Sequence, residues 1–246
     1  MTGKFHYLGR AIDSTLLTPL SAIASQQAAP TKRTMQHVMQ LLDYIASQED
    51  AVLTYHASDM MFATQSDAGY HNEPEARSRA GGHFYLSSNA EIPPNNGSIH
   101  NIAQIIKAVM SSAAEAELGG LFINAREAVY IRNILAEMGH PQPPTPIQTD
   151  NSTANGVVNN KIQPKRTKPM DMRFHWLRCR MAQNKIRFHW RPGTTNLADY
   201  WTKHHSGTHH KKKREILTPV HKVASLFTTG KSGSLLRGCV EPVGAQ

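Results

Sequence analysis

Cysteine is nearly absent: Cys179 and Cys239 are the two in 246 residues. Neither stands in a metal-ligand spacing, and a disulfide framework is excluded. That suits a reducing compartment. No apolar run approaches the roughly 20 residues that a membrane span needs, so no membrane partner is expected. Met1-Thr2-Gly3-Lys4-Phe5-His6 lacks the apolar core of a signal peptide. An intracellular setting, cytoplasmic or nuclear and not secreted, is the expectation. Acids are also in the minority, 18 against 27 Lys and Arg, for a net charge of +9. Such a balance favours an anionic partner such as nucleic acid.

Because acids are scarce, those in apolar settings are informative. Met60-Met61-Phe62-Ala63 reads as a buried strand that ends near Asp67, before the turn residue Gly69. A carboxylate there is costly unless a cation sits beside it. Glu117 lies in a long helix, Asp150 at a strand end and Asp199 near the start of a helix. For any one of them a cap or a surface charge is the simpler reading. Asp150 before Asn151-Ser152 reads equally well as a helix cap, and Asp199 alone as a solvated helix residue. Together, the four fit a single point that binds metal.

The periodicity sets the order of elements. Residues 11–29 have helical spacing interrupted by Pro19. Residues 32–48 form a helix with Met35, Val38, Met39, Leu42 and Ile45 in one stripe. Val52-Leu53-Thr54-Tyr55 reads as a short strand. Strands over 59–65, 79–86 and 98–106 follow as an antiparallel meander. A helix over 111–138 contains Gly119-Gly120, which implies close packing on the sheet. A strand at 146–150, a short helix at 151–158, a helix at 170–184 with Met172, Trp176, Cys179 and Met181 inward, a strand at 185–190 and a helix through Trp201 complete the order. A meander followed by alternating helices and strands gives an α/β fold, a mixed five-stranded sheet with helices on its faces.

Five motifs stand in sequence: Ser66-Asp67-Ala68; Ser111-Ser112-Ala113-Ala114-Glu115-Ala116-Glu117-Leu118; Thr149-Asp150-Asn151-Ser152; residues 166–175 from Arg166 to His175; and Asn196-Leu197-Ala198-Asp199-Tyr200-Trp201-Thr202-Lys203. In this order and spacing, residues 56–205 resemble the RNase H domain of the Pol polyprotein of copia-type retrotransposons. The resemblance implies an RNase H-like fold over residues 51–205. It implies a preceding helical segment, residues 1–50, like the connection from polymerase to RNase H. The basic stretch 206–246 is expected to be a poorly ordered tail. The implied activity is a metal-dependent endonuclease that hydrolyses the RNA strand of RNA–DNA hybrids. Asp67, Glu117, Asp150 and Asp199 would be both catalytic and metal ligands for two Mg²⁺, with Mn²⁺ able to substitute. Partners would be the hybrid and the polymerase part of the parent polyprotein.

No Tyr-x-Asp-Asp polymerase signature, protease motif or integrase motif is present. The chain therefore reads as a C-terminal fragment or the frame of a decayed element. The alternative function is a catalytically inactive nucleic-acid-binding remnant. Lys161, Lys165, Arg166, Lys168 and Arg173 are the candidate phosphate contacts, against the simpler reading of a solvated face. Asp171 and His175 favour a hydrogen-bonding role over a metal pair. His204, His205, His209 and His210 are not expected to hold zinc. Lys211-Lys212-Lys213-Arg214 resembles a nuclear-import run. Of Glu115 and Glu117, about 200° apart around the helix, Glu117 is the expected ligand and Glu115 faces solvent.

Overall fold

The chain opens with helices because its apolar residues recur at helical spacing before they alternate. The computed structural model describes residues 2–48, 52–159 and 171–218. Helix α1 spans Thr2–Ala11, α2 Leu17–Ser25 and α3 Lys32–Ala46. Pro19 does not break α2, because it lies in the first turn, where a backbone N–H has no helical acceptor. Thr31 caps α3 by accepting from Thr34 N at 3.2 Å, and Thr34 Oγ1 accepts from Thr31 N at 3.0 Å. The buried stripe of α3 is rotated from the expected one. Val38, Leu41, Tyr44 and Ile45 meet Leu16, Leu20 and Ile23, while Met35 and Met39 are exposed.

Strands β1 (Met61–Glu73), β2 (Arg77–Ser87) and β3 (Ser98–Ile106) form the antiparallel meander. Helix α4 (Ala113–Glu137), β4 (Thr145–Thr149), α5 (Ser152–Val158), α6 (Asp171–Ala182) and β5 (Ile186–Trp190) follow. The sheet order is β3-β2-β1-β4-β5, with β4 parallel to both β1 and β5. This is the expected mixed five-stranded sheet with helices on its faces, an RNase H-like fold. The segment 52–55 forms no strand; Tyr55 instead donates from its hydroxyl to Ser98 O at 3.1 Å.

Two apolar clusters cover the two faces. Phe62, Phe84, Leu118, Leu121, Ile147 and Leu177 pack α4, α5 and α6 on one side. His83, adjacent to Phe84 on β2, points the other way and stacks on Trp201 with ring centroids 5.7 Å apart. There Leu17, Leu197, Tyr200, Trp201 and Leu217 form the second cluster. In α6 the inward residues are Phe174 and Leu177, three apart, with Trp176 and Met181 half-buried. Met172 is 82% exposed and Cys179 is exposed, contrary to the sequence expectation, because the buried stripe is rotated away from both.

The second cluster also takes in a helix beyond residue 205, while residues 219–246 of the expected tail lie outside the described residues. Residues 207–217 are helix α7 (Gly207–Leu217), capped by Ser206, rather than part of a disordered tail. Arg214 and Leu217 are three apart and turn inward together, leaving the lysines on the outer face. Arg214 Nη1 donates to Asp13 Oδ2 at 3.1 Å. Trp201 Nε1 donates to Ser14 O at 2.9 Å. The N-terminal helices are thus packed on the sheet through Trp201 and α7. Among the described residues, no helix is long and apolar enough to cross a membrane.

Candidate metal centre

Three elements deliver one carboxylate each. β1 does not end at Asp67 as expected; it runs on to Glu73, and Asp67 pairs with Gly81 of β2 inside the sheet. This leaves Asp67 only 6% exposed. Glu117 lies on the buried stripe of α4, in line with Leu121, Asn124, Ala128 and Leu135, and is 7% exposed. Asp150 follows β4 directly. Asn151 caps α5 by accepting from Ala154 N at 2.8 Å, so capping makes no demand on the Asp150 carboxylate. Ligand oxygens of Asp67, Glu117 and Asp150 all lie within 4.8 Å of one another.

The approach of α4 to β1 depends on small and polar residues. A Cβ on Gly120 would lie 3.1 Å from Asp67 O, a tight contact that explains a glycine at that position of the helix. Asn124 clips α4 to the sheet, donating from Nδ2 to Ser66 Oγ and to Gly81 O, both at 2.8 Å. Glu115 takes the role expected of a helix-end residue. Its Oε2 accepts from Ser111 N at 2.7 Å, and its own N–H is capped by Ser112 Oγ at 3.2 Å.

The electrostatics follow from burial and crowding. Burial first, and then the Asp150 charge, push Asp67 up to about 7. Burial followed by the charges of Asp67 and Asp150 holds Glu117 well above the usual carboxylate range. Asp150 is raised as well, chiefly by burial, with Asp199 adding to it. Glu117 Oε2 is buried and has no hydrogen-bond partner. Crowded carboxylates with an orphaned oxygen suit a hard divalent cation, which takes oxygen ligands. The residues present therefore fit Mg²⁺ or Mn²⁺.

Asp199 differs from the other three. It sits in a 3₁₀ turn, Leu197–Trp201, not in a regular helix, and outside the three-carboxylate grouping. Its charge is felt by Asp67, Glu117 and Asp150, but its carboxylate is paired with Lys203. Thr202, which the sequence reading did not single out, donates from Oγ1 to Asp67 Oδ2 at 2.8 Å. Asn196, also passed over, donates to Ser66 O at 2.9 Å and holds the turn against β1. Both stand inside the Asn196–Lys203 motif, which was the available signal.

Lys161, Lys165, Arg166 and Lys168 lie outside the described residues. Arg173 is half-buried, with its guanidinium 5.9 Å from the Phe122 ring centroid. Among the described residues, no histidine belongs to a grouping of three potential metal ligands.

The sheet order is that of an RNase H-like fold, and its first strand, its covering helix and the end of its fourth strand each bring one carboxylate to the same point. The chain is similar to the retrovirus-related Pol polyprotein from transposon TNT 1-94 of Nicotiana tabacum, 24% identical over 174 residues. That match covers 71% of this chain and 13% of the polyprotein, so the chain spans a small part of its relative's length. No family model matches the chain. Among solved structures it is similar to LC11-RNase H1, isolated from compost by a metagenomic approach, at 14% identity and a TM-score of 0.45, covering 58% of this chain and 93% of that one. It is also similar to the foamy viral protease-reverse transcriptase in complex with dsDNA, at 11% identity and a TM-score of 0.47, covering 77% and 36%.

Proposed function

We propose that this domain is a metal-dependent endonuclease from a copia-type element, cutting the RNA strand of RNA–DNA hybrids. The observation that carries the reading is the trio Asp67, Glu117 and Asp150, buried, within 4.8 Å, and with Glu117 Oε2 unpartnered. Without a cation, such a cluster repels itself. Asp67, Glu117 and Asp150 would hold Mg²⁺, or Mn²⁺ in its place, with Asp199 the candidate fourth ligand for a second ion. When bound, the ions supply an activated water and stabilise the leaving oxygen.

The chain's own contribution is placement. Thr202 fixes one oxygen of Asp67 by donating to Oδ2, which holds the carboxylate beside those of Glu117 and Asp150. Asn124 sets the depth of Glu117 by clipping its helix to β1 and β2. Lys161, Lys165, Arg166, Lys168 and Arg173 are the proposed phosphate contacts, which would make binding salt-dependent. Selection of RNA would rest on 2′-hydroxyl and backbone contacts, since the A-like major groove hides base edges. The chemistry is assigned to residues 51–205. The proposed partners are the hybrid and the polymerase part of the parent polyprotein, in cytoplasm or nucleus.

The test is cleavage of a hybrid labelled on either strand. RNA-strand cutting that requires Mg²⁺ or Mn²⁺ supports the proposal, and equal cutting of duplex DNA removes it. One observation favours the second reading, a silent nucleic-acid-binding remnant: Asp199 is engaged by Lys203 rather than joined to the cluster. Salt-dependent hybrid binding with no cleavage in either ion would select it.

A further inference from the structure

The turn that carries Asp199 is held firmly against the sheet. Leu197 N donates to Gln65 Oε1 at 2.7 Å, and Asn196 Nδ2 to Ser66 O at 2.9 Å. Trp201 is fully buried. Gly81 lets the turn lie on β2, since a Cβ there would sit 2.3 Å from Ala198 O. Thr202 then joins the turn to Asp67 Oδ2. The backbone of Asp199 is therefore fixed beside the three-carboxylate cluster, while its side chain is 27% exposed and paired with Lys203.

Lys203 itself is 51% exposed. An exposed i,i+4 pair of this kind contributes little to stability, so its stabilising role alone is slight. Its position is unusual in another respect: the charges of Asp67 and Asp150 act on it as well as that of Asp199. It also lines a cavity of about 560 Å³ between the N-terminal helices and this turn, which includes Tyr44, His37 and Tyr200. The ammonium thus has room to leave Asp199 without disturbing the core.

Resting on the reading of the trio as a divalent-cation site, we infer that Lys203 is a built-in cation that competes with the second divalent ion for Asp199. One divalent ion on the trio and one ammonium on Asp199 neutralise most of the local negative charge. A second divalent ion on Asp199 requires the ammonium to move away, because two cations on one carboxylate repel. The first ion binds at Asp67, Glu117 and Asp150 regardless of Lys203. The second binds only as Lys203 swings toward the cavity. Lys203 is in this sense a positioning residue that sets the concentration of ion at which the site fills.

The experiment is Mn²⁺ titration of the full chain, followed by calorimetry and by the electron paramagnetic resonance signal of free Mn²⁺. The wild type, Lys203→Met, Lys203→Gln and Lys203→Arg are compared, with circular dichroism checking that each is folded. The expected result is that Met and Gln tighten the second ion about two- to fivefold, a step matching removal of one partly exposed ion pair. The first ion changes less than about twofold, and Arg behaves as wild type. A second binding constant that is unchanged or weaker in Met and Gln overturns the inference while leaving the cation site intact. A wild type that binds no Mn²⁺, with Asp67→Asn identical to it, overturns the site reading and this inference with it.

Discussion

Asp67→Asn is expected to make the metal-free protein more stable at pH 8 and less responsive to Mg²⁺. The ordinary value for this carboxyl is 3.8, and burial moves it up to about 7. At about 1.4 kcal/mol per pH unit, the ionised native state carries a cost of at most roughly 4 kcal/mol. Because the folded value is raised, the stabilising contribution of the protonated form is full below about pH 4. It declines as pH rises and is gone once pH passes about 7. Asparagine cannot ionise, so the decline should flatten in the variant, and its side-chain oxygen still accepts from Thr202. Asp150 and Glu117 share the same electrostatic relief, so about half of that limit, roughly 2 kcal/mol, is the reasonable expectation. For a chain of this size that is about 4–8 °C in Tm. The assay is thermal melting by circular dichroism, in EDTA and in Mg²⁺, from pH 4 to pH 8. In Mg²⁺ at about 100 times Kd the wild type should gain about 2.7 kcal/mol, and the variant much less, so their order closes or reverses. If the variant is less stable than wild type in EDTA at pH 8, or the difference is the same at pH 5, the account of the cluster is wrong.

The two acids of α4 should separate cleanly. Glu117→Gln is expected to abolish hybrid cleavage and to stabilise the metal-free chain, as it removes a buried charge with an unpartnered oxygen; Glu115→Gln keeps an acceptor for Ser111 N and should change neither. Equal loss of cleavage in both would mean that Glu115 also reaches the ions. Leu17→Ala, at a buried position against Trp201 and Leu217, is expected to cost about 2–5 kcal/mol and to lower one shared melting transition. A sheet-domain transition that ignores this change would show residues 2–48 to be a separate unit.

Local chemistry was legible without a structure where one element decides the outcome. β3 is found at Ser98–Ile106, the span expected for the third strand of the meander, and Ser112 caps α4. Glu117 could be chosen over Glu115 because helical geometry puts them on different faces and only one face is apolar. The glycine pair in α4 could be read as a close approach, and Gly120 lies against the Asp67 carbonyl.

What depended on contacts between distant segments was not legible. Met172 and the α3 methionines look core-like by type, yet the buried stripes are rotated away from them. A lysine-rich stretch looks disordered by composition, yet Arg214 and Leu217 find partners about 200 residues earlier, in Asp13 and Leu17. The sequence by itself determined the order of the elements and which acids would be costly to bury, because periodicity and burial cost are properties of short segments. Only the tertiary structure decided that Asp67, Glu117 and Asp150 meet within 4.8 Å while Asp199 turns to Lys203. That choice depends on where a fixed turn leaves a side chain relative to its neighbours, and no spacing along the chain encodes it.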